Sequence, residues 1–342
     1  MKKWLALSFF FFVCSNAPAA VLSPQYKIVT ASERGTYIVL GRDLATQIAP
    51  DAGFELESLP SAGSAENVRR LRFEPGVKLA IVQSDVYQAF IDQAVAGNKE
   101  AANLIQPLRV ILPLYNEEIY FIVHAESPLN FIHEIKDARI NAGPVGSGTA
   151  LTTLTLYQAM FHAAPPNTTT YLTNEEALLK LTAKQVDVVA VVGGQPMKLL
   201  ADMKPEAKQL VKLLKFDPSH PVSADVLKTY FPAIVRKTSY PNLLAEDIPA
   251  VAVKAFLVTY NYNLAQTVGY LRRFARALCQ NMPNLKANGH PKWKDVELGL
   301  PELGEGWTYY PATAREIRAC AAPVRPSKAA CSPQEFVLGL CK

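Results

Sequence analysis

The sequence predicts an α/β protein of two lobes that face each other across a central cleft. The chain has 342 residues, which is longer than a single small domain with one hydrophobic core. Hydrophobic residues make up 49% and charged residues 19%, which is typical of a globular chain. The third observation is an order of strand, polar loop, helix, strand, helix, strand and polar loop that occurs twice. The net charge of +5 is too small to indicate a nucleic-acid partner.

Residues 1–19 have the composition of a secretion signal. Two lysines precede an apolar run over residues 4–13, and Ala17 and Ala19 form an A-x-A arrangement. The apolar run is too short to cross a membrane as a helix. We therefore predict cleavage after Ala19 and export of the mature chain.

The first copy of the repeated order places polar loops after its strands. A strand over residues 26–30 is followed by the loop 31–36 (ASERGT) and a helix. The loop 61–64 (SAGS) opens the next helix, for which Ser64 is the predicted N-cap. The third strand ends in residues 83–85 (QSD) before another helix. Three polar loops are thus predicted at strand ends in the first lobe.

The second copy begins with the loop 143–149 (GPVGSGT), between a strand over 138–142 and a helix over 150–161. Its glycines allow a sharp turn and a close approach to a ligand. Ser147 or Thr149 can cap the helix, and the free N–H groups at the helix start attract an anion. The loop lacks the lysine of a Walker A motif and the glycine spacing of a dinucleotide fingerprint. The alternative is a tight turn without a ligand.

The remainder of the second copy repeats the pattern. Tyr171 marks a strand, Thr173 or Asn174 caps the next helix, and a strand over 186–192 ends in residues 193–196 (GGQP). Alternating strands and helices predict parallel sheets covered by helices. Ligands of such folds bind at the carboxyl ends of the strands. The polar loops of the two copies should therefore line one cleft, which closes by a hinge motion.

We predict that the first lobe comprises residues 20–113 and 217–317, and that the second lobe comprises residues 114–216. The chain would cross between the lobes near Pro113 and return after the apolar run that ends at residue 214. Residues 318–342 form a cysteine-containing extension with little periodicity.

Four cysteines remain after the predicted cleavage, all in the last fifth of the chain: Cys279, Cys320, Cys331 and Cys341. An even number of cysteines in an exported protein favours disulfides over a metal site, since no C-x-x-C spacing occurs. Three pairings are possible, and we predict Cys279 with Cys320 and Cys331 with Cys341.

Over residues 26–317 the chain resembles the TAXI class of solute-binding proteins of TRAP transporters. The matching stretches occur in the same order along the chain: Gly35-Thr36-Tyr37 with Leu40-Gly41, 61–71 (SAGSAENVRRL), 79–85 (LAIVQSD), 143–149, 187–196, 250–260 (AVAVKAFLVTY) and 292–298 (KWKDVEL).

The resemblance implies a monomeric periplasmic receptor with the type II-like, Venus-flytrap architecture of periplasmic binding proteins. Such a receptor needs no cofactor and delivers a small organic anion to the membrane subunits of a TRAP permease. The ligands of this class are glutamate, glutamine or related five-carbon dicarboxylates. Periplasmic location agrees with the predicted signal at residues 1–19.

Carried over by position, the resemblance implies ligand contacts from Thr36, Tyr37, Gly63, Ser64, Gln83, Ser84, Ser147, Gly148, Thr149 and Gly194. The first loop departs from the glycine-rich loop of the class, because it holds Ser32, Glu33 and Arg34. Ser32 and Arg34 join the candidate ligand-binding residues: Arg34 could pair with a ligand carboxylate, and Glu33 could repel one.

The alternatives to a transport receptor are an enzyme and a binding protein with another partner. An enzyme is disfavoured because Ser147 lacks the spacing of a nucleophile elbow, and His133-Glu134 lacks the second histidine of a zinc-protease motif. The acidic pairs Glu117-Glu118 and Glu175-Glu176 are predicted to lie on a solvated surface. A binding protein that reports to a sensor or another envelope partner, instead of a permease, fits the sequence as well as a transport receptor does.

Overall fold

The computed structural model describes residues 23–321 except residues 34, 96, 304 and 305. Within this part the strands are β1 (Gln25–Val29), β2 (Glu55–Leu59), β3 (Val77–Gln83), β4 (Leu108–His124), β5 (Ile140–Asn141), β6 (Val188–Gly193), β7 (Val211–Leu213), β8 (Phe231–Val235) and β9 (Ile248–Tyr260). The helices are α1 (Thr36–Gln47), α2 (Ser64–Phe73), α3 (Ser84–Val95), α4 (Lys99–Ile105), α5 (Gly148–Phe161), α6 (Asn174–Thr182), α7 (Lys198–Ala201), α8 (Ser223–Val226), α9 (Ala265–Asn288) and α10 (Pro311–Ala321). Short 3₁₀ turns complete the chain, among them Pro291–Asp295.

One mixed sheet runs through the molecule in the order β2-β1-β3-β9-β4-β6-β5, with β7 on β4 and β8 on β9. The predicted parallel pairs are present within each half: β1 pairs with β2 and β3, and β5 pairs with β6. The long strands β4 and β9 are antiparallel and join the halves. The α/β class and the two-lobed architecture are therefore confirmed, although the two predicted sheets are continuous with each other.

Both faces of the sheet are buried in each lobe. On β1, Ile28 belongs to the core beneath α1 and α9, whereas the adjacent Val29 belongs to the core beneath α2 and α3. Consecutive residues of a strand point to opposite faces, so two apolar neighbours require helices on both sides. In the second lobe Val188 and Val189 are divided between two cores in the same way.

The predicted return to the first lobe near residue 215 is wrong. Val226 and Tyr230 pack with Phe121 in one core of the second lobe, and Tyr240 packs with Tyr120 in the other. The chain returns only along β9. The first half of this strand lies between β8 and β4, and its second half lies between β3 and β4. A strand of 13 residues is long enough to belong to both lobes.

The second strand of the second copy, predicted at Tyr171, is reduced to a single bridge between Thr170 and Asn141. The Asn141 side chain accepts hydrogen bonds from the Thr170 hydroxyl and the Leu172 N–H, which takes the place of a second ladder. The sheet therefore ends at β5.

A disulfide joins Cys279 on α9 to Cys320 on α10, as predicted. Glu316 of α10 also accepts hydrogen bonds from Arg272 and Arg276 of α9. The last described helix is thereby attached to the first lobe. The predicted pair Cys331–Cys341 and the predicted cleavage site after Ala19 lie outside the described residues. No described helix combines the length and the apolar character that a membrane span requires.

Candidate functional site

A cavity of about 350 Å³ lies between the two lobes. Its wall is built where four helices begin, because residues at the starts of α1, α2, α5 and α6 all line it. The first N–H groups of a helix have no partner within the helix and form the positive end of the helix dipole. The cavity is therefore surrounded by groups that attract a carboxylate or another anion.

In the first lobe, α1 begins at Thr36 directly after the N-cap Gly35. The Thr36 hydroxyl donates to the Gly194 carbonyl of the second lobe at 3.3 Å. The next helix, α2, begins at Ser64 after Gly63, whose φ of +129° favours glycine. The prediction of Ser64 as N-cap is wrong by one residue, since Ser64 is the first helical residue.

The Ser64 hydroxyl has another partner instead of its own helix. It donates to Gln83 Oε1 and accepts from the Gln83 N–H, both at 3.2 Å. This pair holds the end of β3 against the start of α2. An added Cβ on Gly148 would lie 1.7 Å from Gln83 Oε1, so the approach of the second lobe at this point requires a glycine.

In the second lobe, Ser147 is the N-cap of α5, and its hydroxyl accepts from the Ala150 N–H at 3.0 Å. Of the two caps that the sequence allowed, Ser147 performs the role, and the hydroxyl of Thr149 is not needed for it. Thr173 caps α6 in a capping box with Glu176, which resolves the second open choice. Thr149 and Asn174 both line the cavity.

The most deeply buried acidic side chain of the cavity is Glu117, which lies on β4 and is 3% exposed. The Tyr37 hydroxyl donates to its carboxylate at 2.5 Å. Burial raises the pKa of Glu117 to about 8, and the neighbouring Glu118 carboxylate acts in the same direction, while Tyr37 and Lys292 act against it. Glu117 is therefore protonated at neutral pH.

The lining carries more acid than base. Glu33 at the mouth and Glu175 at the start of α6 join Glu117, and the described lining residues include no lysine, arginine or histidine. Glu33 also pairs with Arg42 on the surface of α1. The arrangement can hold an anionic group at the helix starts and a cationic group at the carboxylates.

The two lobes also contact each other beside the cavity. Asp85 of the first lobe is 2% exposed and accepts hydrogen bonds from the hydroxyls of Thr152 at 2.6 Å and Tyr230 at 3.2 Å. Burial raises the pKa of Asp85 to about 6, and the two hydroxyls oppose that rise. The Glu66 N–H donates to the Gly146 carbonyl at 3.1 Å. These bonds hold the lobes together over the cavity.

Nine of the predicted contact residues line this cavity: Ser32, Thr36, Tyr37, Gly63, Ser64, Gln83, Ser147, Gly148 and Thr149. Ser84 and Gly194 do not line it. Ser84 is the first residue of α3, and Gly194 takes part through its carbonyl contact with Thr36. Arg34 lies outside the described residues, so its pairing with a ligand stays a prediction.

Sequence patterns did not indicate five further lining residues: Glu117, Glu175, Val191, Met197 and Leu199. The expected solvation of the pair Glu117-Glu118 is wrong, because they are 3% and 5% exposed. The signal was the apolar residues on both sides of the pair, which indicate one continuous buried strand.

The solved structures that are similar to this chain are described with different ligands. Among solved structures, XAC2383 from Xanthomonas citri bound to ATP is 14% identical, covering 88% of this chain and 96% of that one, with a TM-score of 0.46. The periplasmic binding protein BugD is 14% identical over 87% and 94%, with a TM-score of 0.48. The arginine-, lysine-, histidine-binding protein ArtJ from Geobacillus stearothermophilus is 12% identical over 82% and 99%, with a TM-score of 0.44.

The family comparison covers most of the chain. The NMT1-like family matches residues 28–305, which extend from β1 past α9 and include both walls of the cavity. The chain belongs to the NMT1-like family.

Proposed function

We propose that this protein is an extracytoplasmic receptor that captures glutamate, glutamine or a closely related acid and delivers it to a TRAP permease. The observation that carries the proposal is the cavity between the lobes, where the starts of four helices and a buried carboxyl meet. Its volume of about 350 Å³ is at the small end of the range for ligand sites. A compact solute suits that volume.

The charges of the cavity favour an amino acid among the five-carbon acids. A ligand carboxylate would lie at the helix starts, where the N–H groups and the dipoles stabilise it. A ligand ammonium would lie toward Glu117, whose carboxyl is neutral at neutral pH and becomes ionised next to a cation. A 2-oxo acid has no ammonium group, so it should bind less tightly than glutamate or glutamine.

The contacts between the lobes support capture by closure. Thr36 reaches Gly194 across the cleft, and Asp85 reaches Thr152 and Tyr230. A ligand favours the closed form only if it gains contacts there that the open form lacks. A ligand between α1 and α5 gains contacts from both lobes on closing.

The resemblance to the TAXI class and the predicted signal at residues 1–19 support the periplasm as the location and a TRAP permease as the partner. We assign no catalytic role to Ser147, because its hydroxyl is engaged as a helix cap. Uptake of labelled ligand by vesicles that contain the permease should depend on added receptor. Binding without uptake would indicate a sensory partner instead.

Calorimetric titration of glutamate, glutamine and 2-oxoglutarate tests the ligand. Glutamate or glutamine should bind, and 2-oxoglutarate should bind at least tenfold more weakly. Titrations in Tris and in Hepes should reveal the release of a proton near pH 7, because an ammonium ionises Glu117. Failure of all three solutes to bind contradicts the proposed ligand class, and tighter binding of 2-oxoglutarate contradicts the role of the ammonium.

Thr149→Val tests the position of the ligand. A hydrogen bond to a charged group contributes about 1.5–3 kcal/mol, so affinity should fall roughly ten- to a hundredfold. The matched control is Thr46→Val on the exposed side of α1, which should leave affinity unchanged. Unchanged affinity in Thr149→Val would show that the ligand does not bind the Thr149 hydroxyl at the start of α5.

A further inference from the structure

A second cavity, of about 580 Å³, lies against the other face of β4. Glu117 and Glu118 are consecutive on this strand, so their side chains point to opposite faces. Glu117 lines the cavity between the lobes, and Glu118 lines the second cavity. The proposed function uses only the cavity between the lobes and gives no role to this second cavity.

Both lobes contribute cations to the second cavity. Arg236 follows β8 and Lys254 lies on β9, while Lys292 and Lys294 come from the 3₁₀ turn after α9. The acidic lining residues are Glu118 and Asp295. The lining therefore carries four basic side chains and two acidic ones, which is opposite in sign to the cavity between the lobes.

The two acids are already engaged with Lys292. Its ammonium lies 2.9 Å from Asp295 and 3.6 Å from Glu118. Glu118 also accepts two hydrogen bonds from Gln195, both at 2.9 Å. Among the described residues, no acidic side chain forms an ion pair with Arg236, Lys254 or Lys294.

The three other cations of the lining are accessible to a ligand. Arg236 and Lys294 are exposed, and Lys254 is partly exposed. Because no carboxylate of the described residues pairs with them, an anion that enters the cavity meets three positive charges in one pocket.

We propose that the second cavity binds a small polyanion, a molecule with two or more carboxylate or phosphate groups. Arg236 and Lys254 would hold one anionic group from the second lobe, and Lys294 would hold another from the first lobe. The bound polyanion bridges the lobes behind the cleft, on the side of β4 that the solute does not reach.

Calorimetric titration of citrate and of inorganic pyrophosphate at low ionic strength tests this site, with inorganic phosphate as the single-group comparison. At least one of the two polyanions should bind with a 1:1 ratio and more tightly than phosphate. The double variant Arg236→Gln/Lys294→Gln should weaken that binding at least tenfold.

Two controls separate this cavity from general charge and from the cleft. Lys136→Gln/Lys208→Gln removes the same charge from exposed positions outside the cavity and should change affinity by less than twofold. Thr149→Val alters the other cavity and should also leave polyanion binding unchanged. The proposal is overturned if neither polyanion binds, if the exposed pair weakens binding as much as Arg236→Gln/Lys294→Gln, or if Thr149→Val abolishes it.

Discussion

The two faces of β4 offer a comparison of two adjacent glutamates in opposite surroundings. Burial raises the pKa of both Glu117 and Glu118. For Glu118 the strongest opposing influence is the charge of Lys292, whereas for Glu117 it is the hydrogen bond from Tyr37. Glu118 is thus one half of a buried ion pair, and Glu117 is a neutral acid at neutral pH. Residue type does not decide the charge of a buried carboxyl; its partners do.

Removal of one partner of the buried ion pair between Glu118 and Lys292 should have the largest effect on stability. Lys292→Met leaves Glu118 buried without its cation, and breaking a buried pair from one side costs about 3–5 kcal/mol. Both side chains are nearly inaccessible, at 5% and 7% exposure. The free energy of unfolding in urea measures the loss.

The control for this prediction is Lys294→Met in the same turn, where the side chain is exposed. Its effect should stay within about 0.5 kcal/mol. The double variant Glu118→Gln/Lys292→Met should recover part of the stability, because no unpaired buried charge remains. A double variant as unstable as Lys292→Met would show that packing, not charge, caused the loss.

A substitution in the wall between the two cavities should have the next largest effect on stability. An added Cβ at Gly194 would lie 2.8 Å from Cε2 of Tyr115 and 2.9 Å from Cε of Lys292. Gly194→Ala should therefore destabilise the fold by about 1–3 kcal/mol through overpacking. Thermal unfolding compared with Gly299→Ala, which meets nothing within 4 Å, checks this expectation. Equal melting temperatures for the two variants would contradict it.

The titration of Glu117 should make the free energy of unfolding depend on pH. The carboxyl has a pKa of about 8 in the folded protein and about 4.5 when unfolded. The folded state therefore binds the extra proton between these values, and its stability falls as pH rises through that window. The slope is at most about 1.4 kcal/mol per pH unit.

Glu117→Gln removes this titration, so the variant should gain stability over the wild type as pH rises from 5 to 8. Asp85, with a pKa of about 6, adds a slope of the same sign to both proteins at the lower end of this range. Urea unfolding at several pH values measures the difference, with the exposed Glu57→Gln as the control. A constant difference between wild type and Glu117→Gln would show that Glu117 is ionised throughout.

Periodicity and turn chemistry in the sequence predicted the α/β order, the polar loops and most of the cleft lining. Ser147 and Gly148 were found because glycine, serine and threonine at a strand end and a helix start have few other roles. Glu117 was missed because its burial depends on strands that are distant in sequence: β9 pairs beside it, and Tyr37 bonds to it. A local pattern contains no information about such partners.

Local sequence by itself determined most of the segments that form strands and helices, and the positions at which polar loops precede helix starts. Tertiary structure alone decided that residues 217–250 join the second lobe and that two adjacent glutamates lie in different cavities. The reason is physical: backbone hydrogen bonds and helix caps span a few residues, whereas burial and electrostatic partners are set by chain segments that meet only after folding.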